Sequence, residues 1–161
     1  MAQSVKALRV EVEIEGLFAG DDGAQLVVDW AYDKTFTAGG AVDQVERVYQ
    51  DLERALTTTG EDVDLGTVTD FENNALGLAD VKVIALRNLS NTEGETAQLK
   101  AVAVDDIGLF AGSAGLHNVG PGGLFIVINP TAGGYTAGDN IGLDASASLD
   151  VYLLVAGDTG S

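Results

Sequence analysis

The most constraining feature of the sequence is a strict alternation of apolar and charged residues near the N-terminus. From Leu8 to Glu15 every second residue is apolar and every residue between is charged. Because successive side chains of a strand point to opposite faces, this period of two predicts a half-buried β-strand. In Gln25–Phe36 the residues Leu26, Val28, Trp30 and Tyr32 again fall on one parity, and Asp21–Gly23 between the two segments is a turn signal. Together they predict a β-hairpin.

Five further segments carry strand-like patterns. They are Val81–Leu89, Thr96–Val104, Gly122–Pro130, Ile141–Ala145 and Leu149–Ala156. The first two are expected to pair as a hairpin through the polar turn that contains Asn91, Glu93 and Gly94. The last is continuously apolar over Val151–Val155, which predicts a strand at the centre of a sheet.

The segment Val42–Leu56 is ambiguous. Its apolar residues recur at helical spacing with charged residues between them, which indicates an amphipathic helix. The segment has no clear cap, however, and it continues through Thr57–Thr59 into the alternating Val63 and Leu65. A long strand with a bend is therefore the competing interpretation, and periodicity alone does not decide between the two.

Composition supports short strands joined by tight turns. The chain of 161 residues contains 21 Gly but only 2 Pro, and the six glycines of Gly108–Gly123 predict an irregular, partly exposed backbone there. The length fits one domain, residues 1–161, with residues 1–20 as a candidate N-terminal contact strand. We therefore expect an all-β protein, an antiparallel β-sandwich of eight or nine strands.

Charge and cysteine content restrict the function. With 8 Lys and Arg against 25 Asp and Glu, the net charge is −17, which argues against nucleic acid and anionic membranes as partners. The absence of Cys excludes thiol catalysis, disulfides and Cys-ligated metals. The N-terminus lacks the pattern of a signal peptide, and no apolar run is long enough to span a membrane, so we expect synthesis in the cytoplasm.

No residue set predicts catalysis. The single His, His117, could in principle join Ser113 and an aspartate, but neither Ser113 nor Ser146 nor Ser148 lies in a nucleophile-elbow motif. A loop or core-edge role is the better interpretation of His117. Gly120, Gly122 and Gly123 precede a strand rather than a helix, which disfavours a phosphate-binding loop.

Carboxylates are abundant without forming a recognisable site. Glycosidase chemistry needs two carboxyl groups in one cleft, and the adjacent acids are Asp21 and Asp22, Glu61–Asp64, and Asp105 and Asp106. Asp62, Asp64 and Gly66 resemble a fragment of a calcium loop, but the full EF-hand pattern is missing. The sequon at Asn88–Ser90 would matter only in a secreted eukaryotic protein. We expect no catalytic residues, no metal site and no cofactor.

Several short motifs occur in a characteristic order. They are VYQDLERAL, the VDLG step at Val63–Gly66, VKVIALRNLS, PGGLFIVINPTAGGYT and the closing VYLLVAG. Over residues 24–157 this order resembles small virion proteins of tailed bacteriophages, in which the first motif is a strand. The resemblance favours a strand over a helix at Val42–Leu56. The N-terminal strand at Val5–Glu15 and the strong acidity depart from the family pattern.

The resemblance implies a β-sandwich of jelly-roll-like form and a non-enzymatic role as a head decoration, or cement, protein on the capsid exterior of the virion. The implied partners are the major capsid protein and further copies of the chain, as a homotrimer. Candidate contact segments are Gly108–Gly123, Tyr135–Asn140 and the N-terminal segment, because Gly-rich backbone allows close approach. The alternative is a tail or fibre domain that binds host-surface glycans, with or without calcium.

Overall fold

All regular secondary structure that the structure describes is β-strand. The computed structural model describes residues 6–19, 25–70, 75–100, 116–131, 135–136 and 140–159. The twelve strands within these ranges are β1 (Ala7–Ala19), β2 (Gln25–Ala38), β3 (Gln44–Val45), β4 (Arg47–Leu56), β5 (Glu61–Asp64), β6 (Asp80–Asn88), β7 (Ala97–Lys100), β8 (Leu116–Val119), β9 (Leu124–Ile128), β10 (Tyr135–Thr136), β11 (Asn140–Ala145) and β12 (Leu149–Asp158). A search of the same ranges finds no helix with the length and apolar character to cross a membrane.

The predicted N-terminal hairpin is confirmed. β1 and β2 pair antiparallel in unbroken register from Ala7 opposite Thr37 to Ala19 opposite Gln25. The short β3 adds to β2 in parallel, so that these strands form a three-stranded sheet. The chain reaches β3 through a turn in which Gly39 has φ +128°, a conformation that favours glycine.

The remaining nine strands form two sheets. In the five-stranded sheet β12 lies between β4 and β6, and the free side of β6 pairs with β9 and, near its start, with β10. The four-stranded sheet has the order β5-β11-β7-β8. The prediction that the last strand is central is confirmed, since β12 pairs along its length with both β4 and β6.

One apolar core joins these two sheets. Alternate residues of β12, namely Val151, Leu153 and Val155, are fully buried, and they belong to the same cluster as residues from the four-stranded sheet. The cluster includes Leu56, Val63, Ile84, Leu86, Leu99, Val119, Ile141 and Leu143. We call the side of the five-stranded sheet that faces this core its inner face.

The opposite side of the five-stranded sheet, its outer face, is covered in part. Val83 and Ala156 on this side form a second buried cluster with Val10, Phe36 and Val45 of the three-stranded sheet. Half-buried side chains of β1, β4, β9 and β12 surround it. The base of the β1–β2 hairpin therefore packs on the outer face.

Two β-bulges change which side chains reach each face. Opposite β12, the register of β6 skips Lys82, so that Val81 belongs to the inner core and Val83 to the outer cluster. The register of β4 carries one extra residue between Asp51 and Arg54. One extra residue in a strand exchanges the faces to which the following side chains point.

Several sequence predictions need correction. The strand interpretation of Val42–Leu56, which the resemblance favoured, is confirmed, since the segment contains β3 and β4. It is not part of one long bent strand, however, because β4 ends at Leu56 and β5 belongs to the other sheet. β6 and β7 are not a hairpin: they lie in different sheets, since β6 pairs with β12 and β9 while β7 pairs with β11 and β8. Within the Gly-rich tract, Leu116–Val119 is a regular strand. The twelve strands exceed the eight or nine predicted, partly because β3 and β10 are too short to show a sequence period.

Candidate functional site

Two sheet edges joined by one turn each carry an exposed leucine. β8 is the last strand of the four-stranded sheet, β9 pairs with β6 of the five-stranded sheet, and residues 120–123 connect them. Leu116 on β8 is 46% exposed and Leu124 on β9 is 57% exposed. Leu116 lies opposite Lys100 on the outer side of the four-stranded sheet, and Leu124 lies opposite Arg87 on the outer face of the five-stranded sheet, so the two leucines point to opposite sides of the shared core. On the core side of the same strands, the ring of His117 stacks on Phe125 with centroids 4.6 Å apart. We call Leu116, His117, Leu124 and Phe125 the β8–β9 edge.

A buried asparagine fixes the turn behind this edge. The Asn88 side-chain amide is fully buried and donates to the carbonyl oxygens of Glu95 at 2.9 Å and Val119 at 3.1 Å. The backbone N–H of Asn88 donates to the carbonyl of Gly123 at 3.0 Å, and Gly122 adopts φ +67°. The edge is therefore held by hydrogen bonds, and the sequon at Asn88 is a structural element whose amide is enclosed.

The described residues that were considered for a catalytic role, His117 and Ser146, each make contacts within the fold. His117 is exposed on the strand β8, where its ring stacks on Phe125. The hydroxyl of Ser146 accepts a hydrogen bond from Thr96 N at 2.8 Å and donates to Gly94 O at 3.2 Å. Ser113 lies outside the described part of the chain.

The calcium-like segment forms a turn. The Asp64 carboxylate accepts a hydrogen bond from Gly66 N at 2.8 Å, and the Asp64 carbonyl accepts from the N–H groups of Thr67 and Val68. Asp62 is exposed on β5. Among the described residues no group of three or more His, Asp or Glu side chains is arranged to hold a metal ion. The acid pairs at residues 21–22 and 105–106 lie outside the described ranges.

A polar network joins the two sheets at the β4–β5 edge. Arg54 donates to the Tyr49 hydroxyl at 3.1 Å and to Asp51 at 3.0 Å, and it also pairs with Glu61 of β5. Burial raises the pKa of Tyr49, and the charge of Asp51 raises it further. Burial lowers the pKa of Arg54, but its bonds to Glu61 and Asp51 outweigh this effect and the pKa is raised. The donors and acceptors satisfy one another, so the network is suited to holding strands together.

The outer face contains a buried ion pair that the sequence patterns did not reveal. Lys82 Nζ lies 2.7 Å from Asp158 Oδ2, and it donates to the carbonyl oxygens of Gly40 at 3.0 Å and Ala41 at 2.9 Å. The bulge at Lys82 turns this side chain toward the outer face. The one signal in the sequence is a charged residue within the apolar run of Val81–Leu86.

The strand opposite Lys82 requires glycine at residue 157. A Cβ at Gly157 would lie 2.0 Å from the carbonyl oxygen of Asp80, which is less than any real contact allows. Asp80 is paired with Asp158 across the strands. Burial raises the pKa of Asp80 and the charge of Asp158 raises it further, against the opposing effect of Lys82. Three titratable groups therefore interact at the end of β12.

The exposed face of the N-terminal hairpin is acidic. Glu11 and Glu13 are exposed, and Arg9 pairs with Asp33 through two hydrogen bonds of 2.9 Å each. These bonds raise the pKa of Arg9 and lower that of Asp33. Beside the hairpin, Val12 and Tyr32 with Ile126 and Ile128 line a shallow cleft of about 220 Å³. Its size is below that of typical small-molecule sites.

Comparison of the chain with protein-family models, with curated proteins and with solved structures finds no match.

Proposed function

We propose that this protein is a bacteriophage virion structural protein, a head decoration protein that binds and stabilises the shell of the major capsid protein. The resemblance of residues 24–157 to small phage virion proteins motivates the proposal. The observation that carries it is the β8–β9 edge, where Leu116 and Leu124 are exposed on neighbouring sheet edges. An edge strand can add a strand of a second protein, and an exposed apolar side chain beside that edge adds contact area.

The charge distribution fits docking on a repeating protein surface. A net charge of −17 keeps free copies apart before assembly, and a lattice of identical sites makes many weak contacts sufficient. Within this proposal the two sheets that share a core form a jelly-roll-like sandwich, the chain acts as a homotrimer on the capsid exterior, and it has no enzymatic activity. The β8–β9 edge falls partly within Gly108–Gly123, one of the contact segments that the sequence suggests.

Binding to shells tests the proposal. Purified protein is added to expanded shells of the encoding phage that lack it, and sedimentation measures the bound fraction while heating measures shell resistance. We expect saturable binding and a higher disruption temperature. The double variant Leu116→Asp with Leu124→Asp should bind about 100-fold more weakly, because two apolar contacts are lost.

Leu52→Asp is the matched control. Leu52 is 61% exposed on β4, away from the β8–β9 edge in the strand order, so this variant should bind like the unaltered protein. Failure of the unaltered protein to bind shells would contradict the proposal. Selective binding on a glycan array would instead favour the tail or fibre alternative, and a repeat with a chelator would show whether calcium is needed.

A further inference from the structure

The Lys82–Asp158 pair differs from the other described Lys–Asp pairs in its burial. The side chains of Lys82 and Asp158 are 0% and 3% exposed, with Nζ and Oδ2 2.7 Å apart. Lys34 and Asp43 are equally close, at 2.6 Å, but their side chains are 26% and 43% exposed. Removal from water makes separated charges unfavourable, so a buried pair can become an amine and a carboxylic acid by moving one proton along the contact.

The environment of Lys82 Nζ orients it for attack. Two of its N–H bonds are directed to the carbonyl oxygens of Gly40 and Ala41. In the neutral amine, the remaining tetrahedral position is the lone pair, and the third close neighbour of Nζ is the Asp158 carboxyl group. The carbonyl acceptors thus hold the amine with its nucleophilic side toward Asp158.

The neighbouring residues supply a dry site and a proton carrier. Val83 and Ala156, adjacent to the pair in the outer cluster, are buried with Phe36. Asp80 is the cross-strand partner of Asp158, and its raised pKa makes the protonated carboxyl group more accessible than in a free aspartate.

We propose that Lys82 and Asp158 condense to form an isopeptide bond between β6 and β12, with Asp80 transferring protons during the reaction. This covalent bond would join the chain's last described strand to the strand beside it and would close the outer face beneath residues 40 and 41.

The reaction balances without another reactant. One proton moves from the Lys82 ammonium to the Asp158 carboxylate, and the Nζ lone pair then forms a bond to Asp158 Cγ. A second proton leaves Nζ for the Asp80 carboxylate, which then gives it to the departing hydroxyl group. The Cγ–O bond breaks, one water molecule leaves, and Asp80 returns to its starting state.

Mass spectrometry of the full chain tests the inference. The purified, folded protein should be lighter than its sequence mass by one water molecule, and a protease digest should yield one linked peptide containing both Lys82 and Asp158. Lys82→Arg and Asp158→Ala should each restore the full mass of the variant chain. Asp80→Asn should slow the loss of water about 100-fold, measured from freshly refolded protein.

Lys34 and Asp43 are the internal control, because their equal proximity with greater exposure should leave their peptides unlinked. A folded, unaltered protein that keeps its full sequence mass after prolonged incubation would overturn the inference, whether or not any variant folds. A linked peptide that forms at an unchanged rate in Asp80→Asn would overturn the role of Asp80. Neither result depends on capsid binding.

Discussion

The two faces of the five-stranded sheet are covered to different extents and by different means. The inner face packs on an apolar core shared with the four-stranded sheet, whereas the outer face combines a smaller apolar cluster with the Lys82–Asp158 pair. Apolar burial is non-directional and supplies most folding free energy. A buried ion pair with directed hydrogen bonds contributes less net stability and fixes position instead. The inner face therefore determines whether the chain folds, and the outer face determines where the N-terminal hairpin lies.

The largest effect is expected on the inner face. Leu153→Ala removes a fully buried side chain from the central strand β12. We expect the free energy of unfolding to fall by about 4 kcal/mol, from lost burial and the cavity that remains. Denaturant titration measures the change, with the exposed neighbour Asp150→Ala as control. A loss as small as that of the control would show that this core does not dominate stability.

A local effect is expected on the outer face. Phe36→Ala removes a fully buried side chain from the cluster that holds the hairpin. We expect the free energy that holds the hairpin in place to fall by about 3 kcal/mol. Hydrogen exchange should show lost protection in β1, β2 and β3, while β6 and β12 keep theirs. Thr35→Ala, an exposed neighbour, is the control. Equal loss of protection in all strands would mean that the two faces unfold as one unit.

A smaller effect is expected at the β4–β5 edge. Arg54→Ala removes the side chain that bridges Asp51 and Tyr49 to Glu61. We expect the free energy of unfolding to fall by about 1 kcal/mol. The loss is small because partial solvent exposure weakens charged hydrogen bonds. Denaturant titration compares the variant with Glu53→Ala, an exposed change on the same strand. A value equal to that control would show that apolar packing alone joins the sheets at this edge.

The sequence predicts the regular strands better than it predicts their pairing partners or their bulges. The hairpin of β1 and β2 and the central β12 follow from patterns within single segments, and they are confirmed. The partners of β6 and β7 could not be obtained in this way, because β12 and β11 come much later in the chain.

Neither bulge could be predicted from the alternation of apolar residues, because one extra residue shifts that alternation within a strand. At the candidate docking site, the Gly-rich composition suggested irregular backbone and concealed the strand β8. The exposure of Leu116 and Leu124 depends on which strands form the edges, and that is a property of the three-dimensional topology.

The smallest predicted effect concerns pH and separates charge from packing on the outer face. Because the pKa of Asp80 in the folded protein is raised above its ordinary value of 3.8, the folded state binds this proton more tightly than the unfolded state does. The resulting contribution to stability is complete below pH 3.8 and is lost as the pH rises through the folded-state pKa. Asp80→Asn cannot titrate, so this variant should lack that decline.

Two proteins are compared: the parent Lys82→Arg, and the double variant Lys82→Arg with Asp80→Asn. Lys82→Arg retains a positive charge at residue 82 and excludes covalent bond formation. Denaturant titrations at about pH 3 and about pH 6 should show Asp80→Asn gaining stability relative to its parent as the pH rises. Glu13→Gln, an exposed change on the hairpin, is the control. If the free energies of unfolding of variant and parent differ by the same amount at both pH values, the environment of Asp80 does not distinguish its charged from its neutral form. The outer face would then be held by apolar packing and the Lys82 contacts alone.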